Sequence, residues 1–130
     1  MASEHSRGSI IVPCVAAGAI AVGHAVDLTS WTEGGGYVVT QSSGANTAWG
    51  VYVGEQAAAQ YDHIEVCKLG ICKAWLDGAI TVGQRVSNDA DGHIIAETTD
   101  KKRSIGEAMA TNGATENFGE ILVNCGDTSL

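Results

Sequence analysis

Four cysteines, four histidines and one acidic turn are the residues here whose chemistry could build a site. Cys67 and Cys72 have four residues between them, where a zinc knuckle has two, and Cys14 and Cys125 lie far off along the chain. All four could converge in space, since Cys14 and Cys125 adjoin the outermost strands. Buried free thiols are the simpler account and the one expected, cysteine being a common small core residue. Asp89-Ala90-Asp91-Gly92 opens like a calcium loop, then lacks the further acidic ligands and the closing glutamate, which leaves a turn. No metal and no other cofactor is expected.

Catalytic patterns are also missing. His5, His24, His63 and His93 are scattered, and none adjoins a serine or cysteine nucleophile signature. His63 belongs to an alternating stretch and should face water. Gly34-Gly35-Gly36 lacks the lysine and serine of a phosphate loop, and no helix follows it. The expectation is a protein that is not an enzyme.

Contact surfaces are the remaining option. Lys101-Lys102-Arg103 follows Asp100 and reads either as a solvated turn or as an anchor on an acidic partner. Trp31 sits beside the three glycines, in an insertion where no strand needs it. It is either an interface anchor or a lid folded back over a thin core. A net charge of −8 over 130 residues excludes unaided binding to nucleic acid or to an anionic membrane, both of which want a basic face. No apolar stretch suits a signal peptide or a membrane span. A reducing cytoplasm is the expected site of folding.

The elements that must position these residues come in two copies. Gly78-Ala79-Ile80-Thr81-Val82-Gly83-Gln84-Arg85-Val86 repeats Gly18-Ala19-Ile20-Ala21-Val22-Gly23-His24-Ala25-Val26 at six of nine positions. Each copy reads as a short strand with two apolar residues on one face, a glycine corner and another strand. Gly36-Tyr37-Val38-Val39 aligns with Gly92-His93-Ile94-Ile95, Trp49-Gly50 with Ile105-Gly106, and Ile64-Glu65-Val66 with Ile121-Leu122-Val123. The spacing falls from sixty to fifty-six, so the first copy has four extra residues around Trp31. His24 and His93 fall at non-equivalent positions of the two repeats, so they do not form an inherited pair. Repeat one spans about 17–66 and repeat two about 77–124, and both should share one core.

Seventeen glycines, one proline and many β-branched residues favour strands and turns. Strands are expected near 9–15, 21–28, 37–41, 49–53, 62–68, 81–88, 93–97, 104–110 and 117–124, with a turn and a central strand over 68–76. Residues 56–60 could form one helical turn, and 88–92 a tight Asn/Asp/Gly turn. The fold class is all-β: a small single-domain barrel or sandwich of two pseudo-symmetric repeats over 9–130, with a flexible arm at 1–8.

The glycine corner at 77–86, then Asp91-Gly92-His93-Ile94, then Ser104-Ile105-Gly106-Glu107-Ala108 together resemble the small capsid cement, or decoration, proteins of tailed bacteriophages. The likeness is best over 77–124 and extends through the repeat to 9–66. It implies a trimer made in the host cytoplasm that sits on the outside of an expanded capsid and holds neighbouring major capsid protein subunits together. It also implies an N-terminal contact with the coat, for which Ser9, Ile10, Ile11, Val12 and Pro13 are the candidates. Trp31, Lys101, Lys102 and Arg103 would form a second interface. Two other readings compete: a module recognising glycans through Trp31, and an accessory domain of an enzyme complex.

Overall fold

The computed structural model describes residues 9–98 and 104–124. The chain runs through β1 (Ile10–Ala16), β2 (Ala25–Thr32), β3 (Gly36–Gln41), β4 (Gly50–Tyr52) and β5 (His63–Leu76). It continues through β6 (Arg85–Asn88), β7 (Ile94–Ala96), β8 (Gly106–Ala108) and β9 (Asn117–Asn124). Among the described residues there is no helix, and so none long and apolar enough to cross a membrane.

The strand order β1-β3-β2-β4-β5-β7-β6-β8-β9 closes on itself twice, by β1 against β5 and by β5 against β9. Each closure makes a five-stranded barrel, and β5 is a wall of both. Its first half pairs with β1, and its second half, from Leu69 to Leu76, with β9. One strand can serve two rings because it is fourteen residues long, well beyond the usual five or six.

The core divides in two, one part shared by both repeats, where Ala25, Ala48 and Val51 join residues of repeat two, and one part belonging to β1 and repeat one alone. Cys14, Ala16, Ile20, Val26, Val39, Ile64 and Val66 fill the first barrel. Leu76, Ile80, Val86, Ile94, Ile105, Ile121 and Val123 lead a separate cluster in the second. Ring closure is the cause: inward side chains meet across their own barrel, and β5 stands between the two interiors. The turn expected within 68–76 is also absent. β5 runs on through Gly70 (φ +125°), where Ser9 packs in the space a β-carbon would need. The β1–β5 register skips Lys68. That irregularity lets Cys67 and Cys72, of opposite parity, both join the second core.

The glycine corners are truer turns than the repeat suggests. Ile20 and Ile80 are buried, and each forms a single bridge, to Ala58 and to Asn112. A turn follows at once, closed by His24 N–H on the Ala21 carbonyl and by Gln84 N–H on the Thr81 carbonyl. Val82 therefore does not share the buried face of Ile80 and is 55% exposed, whereas Val22 stays partly buried against the first core beside Ile20. Residues 56–60 are not helical, because Ala58 is taken up in its bridge.

Pairing also corrects the alignment of the repeats. Val26 faces Gln41 and Val86 faces Ala96, so the β2–β3 connection is five residues longer than its counterpart. Val39 therefore corresponds to Ile94, not Ile95. The odd residue is Thr29, bulged out between Leu28 and Ser30. Its hydroxyl donates to the Val38 carbonyl at 2.9 Å. Likewise Tyr52 faces Val66 and Ala108 faces Ile121, which moves the β5–β9 correspondence by two residues.

Candidate functional site

The two barrels meet where the β6–β7 turn of repeat two lies against the first corner of repeat one. Asp89, Asp91 and Gly92 shape that turn: the Asp89 Oδ1 accepts the N–H groups of Asp91 and His93 at 2.9 and 3.0 Å. Gly92 has φ +81° and brings its carbonyl to 2.8 Å from the Ala25 N–H. A β-carbon there would meet Gln41 and the Ala25 carbonyl oxygen at 3.0 and 3.3 Å, so only glycine lets the turn come this close. Gln41 clasps the same turn, its Nε2 donating to the Asp91 carbonyl at 3.0 Å.

This docking brings His24 and His93 together, ring centroids 5.0 Å apart and edge to face. The contact joins non-equivalent positions of the two repeats, so it is not an inherited pairing. His24 is buried; its Nδ1–H donates to the Val22 carbonyl at 3.0 Å, and its ring stacks on Trp75. Burial pushes the His24 pKa below the ordinary histidine value, more than the Val22 carbonyl restores. His93 is surrounded by carboxylates: Nδ1 lies 2.9 Å from Asp77 Oδ2 and 3.6 Å from Asp89 Oδ2, and Nε2 is 3.7 Å from Glu116 Oε1. Burial lowers its pKa too, but the Asp77 hydrogen bond and the three carboxylate charges together outweigh it and raise the value. Trp75 Nε1–H holds Glu116 at 2.9 Å. Asp77, Trp75 and Glu116 carry no motif, so nothing in the sequence marks them as neighbours of His93.

Trp31 is not in a loop. It lies in β2 opposite Tyr37, in a hairpin that reaches beyond its β6–β7 counterpart. The ring is 56% exposed and heads an aromatic row, with Tyr37 at 6.3 Å and Trp49 a further 5.4 Å on. The Lys68 ammonium covers the Trp49 ring at 4.1 Å. Trp49 aligns with the fully buried Ile105, yet it is only half-buried, packing on the edge of the first core.

Ser9, Ile10, Ile11, Val12 and Pro13 lie at the start of the first barrel wall. Ile11, Val12 and Pro13 are paired with Cys67, Val66 and Glu65, and Ile11 and Val12 pack against the cores. Ile10 and Pro13 remain exposed. Lys101, Lys102, Arg103 and the arm at 1–8 fall outside the described residues, as do His5 and Cys125. His63 is exposed on β5. Beside the junction, Val22, Val53, Ile71 and Phe118 line an open cleft of about 840 Å³.

The three described cysteines do not gather around one point. Cys14 lies in the first core, and Cys67 and Cys72 in the second. Burial raises the Cys14 thiol to about 11. A hydrogen bond with Cys72 lowers Cys67 despite its burial. Reactivity needs both a thiolate and access, and all three are buried free thiols. In native protein at pH 7.5, Cys14, Cys67 and Cys72 should resist an alkylating reagent for hours and react within minutes in denaturant. Peptide-resolved mass spectrometry reads this, and fast native labelling of any of the three would contradict the packing.

These features define a class: a double β-barrel with a shared central strand and no helix among its described residues. A solved structure with a similar fold is the head fiber gp8.5 N base of bacteriophage phi29. It matches with a TM-score of 0.64 at 11% identity, over 94% of this chain and 98% of that one. At that identity the likeness is one of fold. No protein-family model matches the sequence, and no curated protein does.

Proposed function

We propose that this chain is a non-enzymatic structural protein of a phage head, bound as a trimer to the outside of the major capsid protein lattice, which it stabilises. The observation that carries the reading is the double-barrel fold shared with a head fiber base over nearly the whole of both chains. The glycine corner, the Asp-Gly turn and the Ser104–Ala108 stretch of the cement proteins support it independently. Ile10 and Pro13 are the exposed residues of β1 available for a coat contact. Trimerisation would multiply a weak contact, since the second and third form at high effective concentration.

The test is to purify particles and measure this chain against the coat protein by gel densitometry. A ratio near one per coat subunit is expected, with the chain released by mild denaturant while heads stay intact. Absence, or only a few copies per particle, overturns the cement reading. The aromatic row favours a second reading, glycan binding, because the exposed Trp31 and Tyr37 rings offer apolar faces on one hairpin. A Trp31→Ala chain that keeps its particle occupancy but loses signal on a glycan array would support it.

A further inference from the structure

We propose that Asp77, Asp89 and His93 bind one divalent metal ion of the zinc or cobalt kind. One imidazole nitrogen and two carboxylate oxygens converge here, all within 4.8 Å of one another. With bonds of about 2.1 Å, neighbouring ligand atoms lie about 3.0 Å apart around an octahedral ion and about 3.4 Å around a tetrahedral one. The 2.9 and 3.6 Å from Nδ1 to the two aspartates span those values. A nitrogen among the donors favours a borderline ion over calcium or magnesium, which prefer oxygen alone.

Asp89 is fixed by its own turn, and Asp77 by its backbone. The Asp89 Oδ1 is occupied by two backbone N–H groups, which leaves Oδ2 turned towards His93. Asp77 follows β5, with its N–H on the Ile94 carbonyl at 2.9 Å. A feature outside the three ligands points the same way. The far nitrogen of His93 faces Glu116, which Trp75 anchors. A ligating histidine characteristically gives its other N–H to a carboxylate, which fixes its tautomer. Binding replaces the Nδ1 proton with the ion and leaves the remaining N–H on Nε2, facing Glu116. The Nδ1 proton goes to solvent. Asp77 is 37% exposed, so water completes the coordination. The ion would tie the end of β5 to the turn that docks the two barrels.

The experiment uses the full untagged chain, stripped with EDTA and titrated calorimetrically with zinc, cobalt, manganese, magnesium and calcium ions. One equivalent of zinc or cobalt should bind. At a hundredfold excess over Kd the melting temperature should rise by several degrees. Asp77→Asn and His93→Gln should melt like the parent without metal and lose both effects. Glu116→Gln should still bind, about tenfold more weakly. No saturable binding of zinc or cobalt overturns the site. So does binding that survives in His93→Gln, and loss of that binding on Cys67→Ser would assign the ion to the thiols. If His93→Gln fails to fold, the exposed Asp77→Asn decides alone.

Discussion

Gly106→Ala is expected to lower stability by about 3 kcal/mol or more, a fall of roughly 10 °C or greater in melting temperature for a domain of this size. The cause is close approach. A β-carbon on Gly106 would fall inside contact distance of the Leu122 carbonyl oxygen, with the carbonyl carbon at 2.9 Å and Val123 Cα at 3.2 Å. These are backbone atoms of β9, which no rotamer change can move. The pairing of Gly106 with Val123 is one of the seams of the second barrel, so relief of the clash opens the ring. Gly50, its counterpart, would press chiefly on the Val66 side chain, with the Cys67 carbonyl oxygen at 2.9 Å, and should lose less. Gly18→Ala is the control: no atom lies within 4 Å of its β-carbon, and the melt should shift by under about 2 °C. Thermal unfolding followed by circular dichroism checks all three. A Gly106→Ala melt within 2 °C of the parent would mean that the barrel closure is looser than its backbone spacing implies.

Asn88→Ala should cost about 2–4 kcal/mol, for a different reason. Asn88 is fully buried at the end of β6, but its side chain serves the other repeat. Its Oδ1 accepts the N–H groups of Thr47 and Ala48, both at 3.0 Å. Its Nδ2 donates to the Gly44 and Asp89 carbonyls at 2.8 and 3.0 Å. Alanine leaves these backbone groups without their partner in a place water reaches poorly, and an unsatisfied buried group is worth more than the bond it made. The loss falls on the seam between barrels. Amide hydrogen exchange should therefore quicken at Thr47 and Ala48 well before it does in β9. Unchanged protection of the Ala48 amide, with stability within 1 kcal/mol of the parent, would show that Asn88 does not staple the repeats.

Much of the local structure was legible in residue order. The glycine corners, the Asn88–Gly92 turn and the β9 span of Asn117–Asn124 all follow from glycine placement and period-two alternation. What alternation cannot report is its own origin. Ile64-Glu65-Val66 aligned with Ile121-Leu122-Val123 keeps every inward residue inward, so a two-residue slip is invisible until strands are paired. The bulge at Thr29 hid a one-residue slip in the same way, since it looks like loop length.

The histidine–carboxylate junction was beyond reach for a further reason. The repeats dock head to tail: the corner at Gly23 and His24 packs on β5 and on the β6–β7 turn, while a β-carbon on the equivalent Gly83 would meet nothing within 4 Å. A heterologous contact of this kind brings non-equivalent residues together. Comparing the copies therefore set His24 and His93 apart, although the fold puts them side by side. Residue order by itself determined two glycine-cornered, strand-rich halves, because corners and alternation are local. Only tertiary structure decided that one long strand serves two barrels and that a histidine and its carboxylates gather at their seam, because both depend on which unlike surfaces meet.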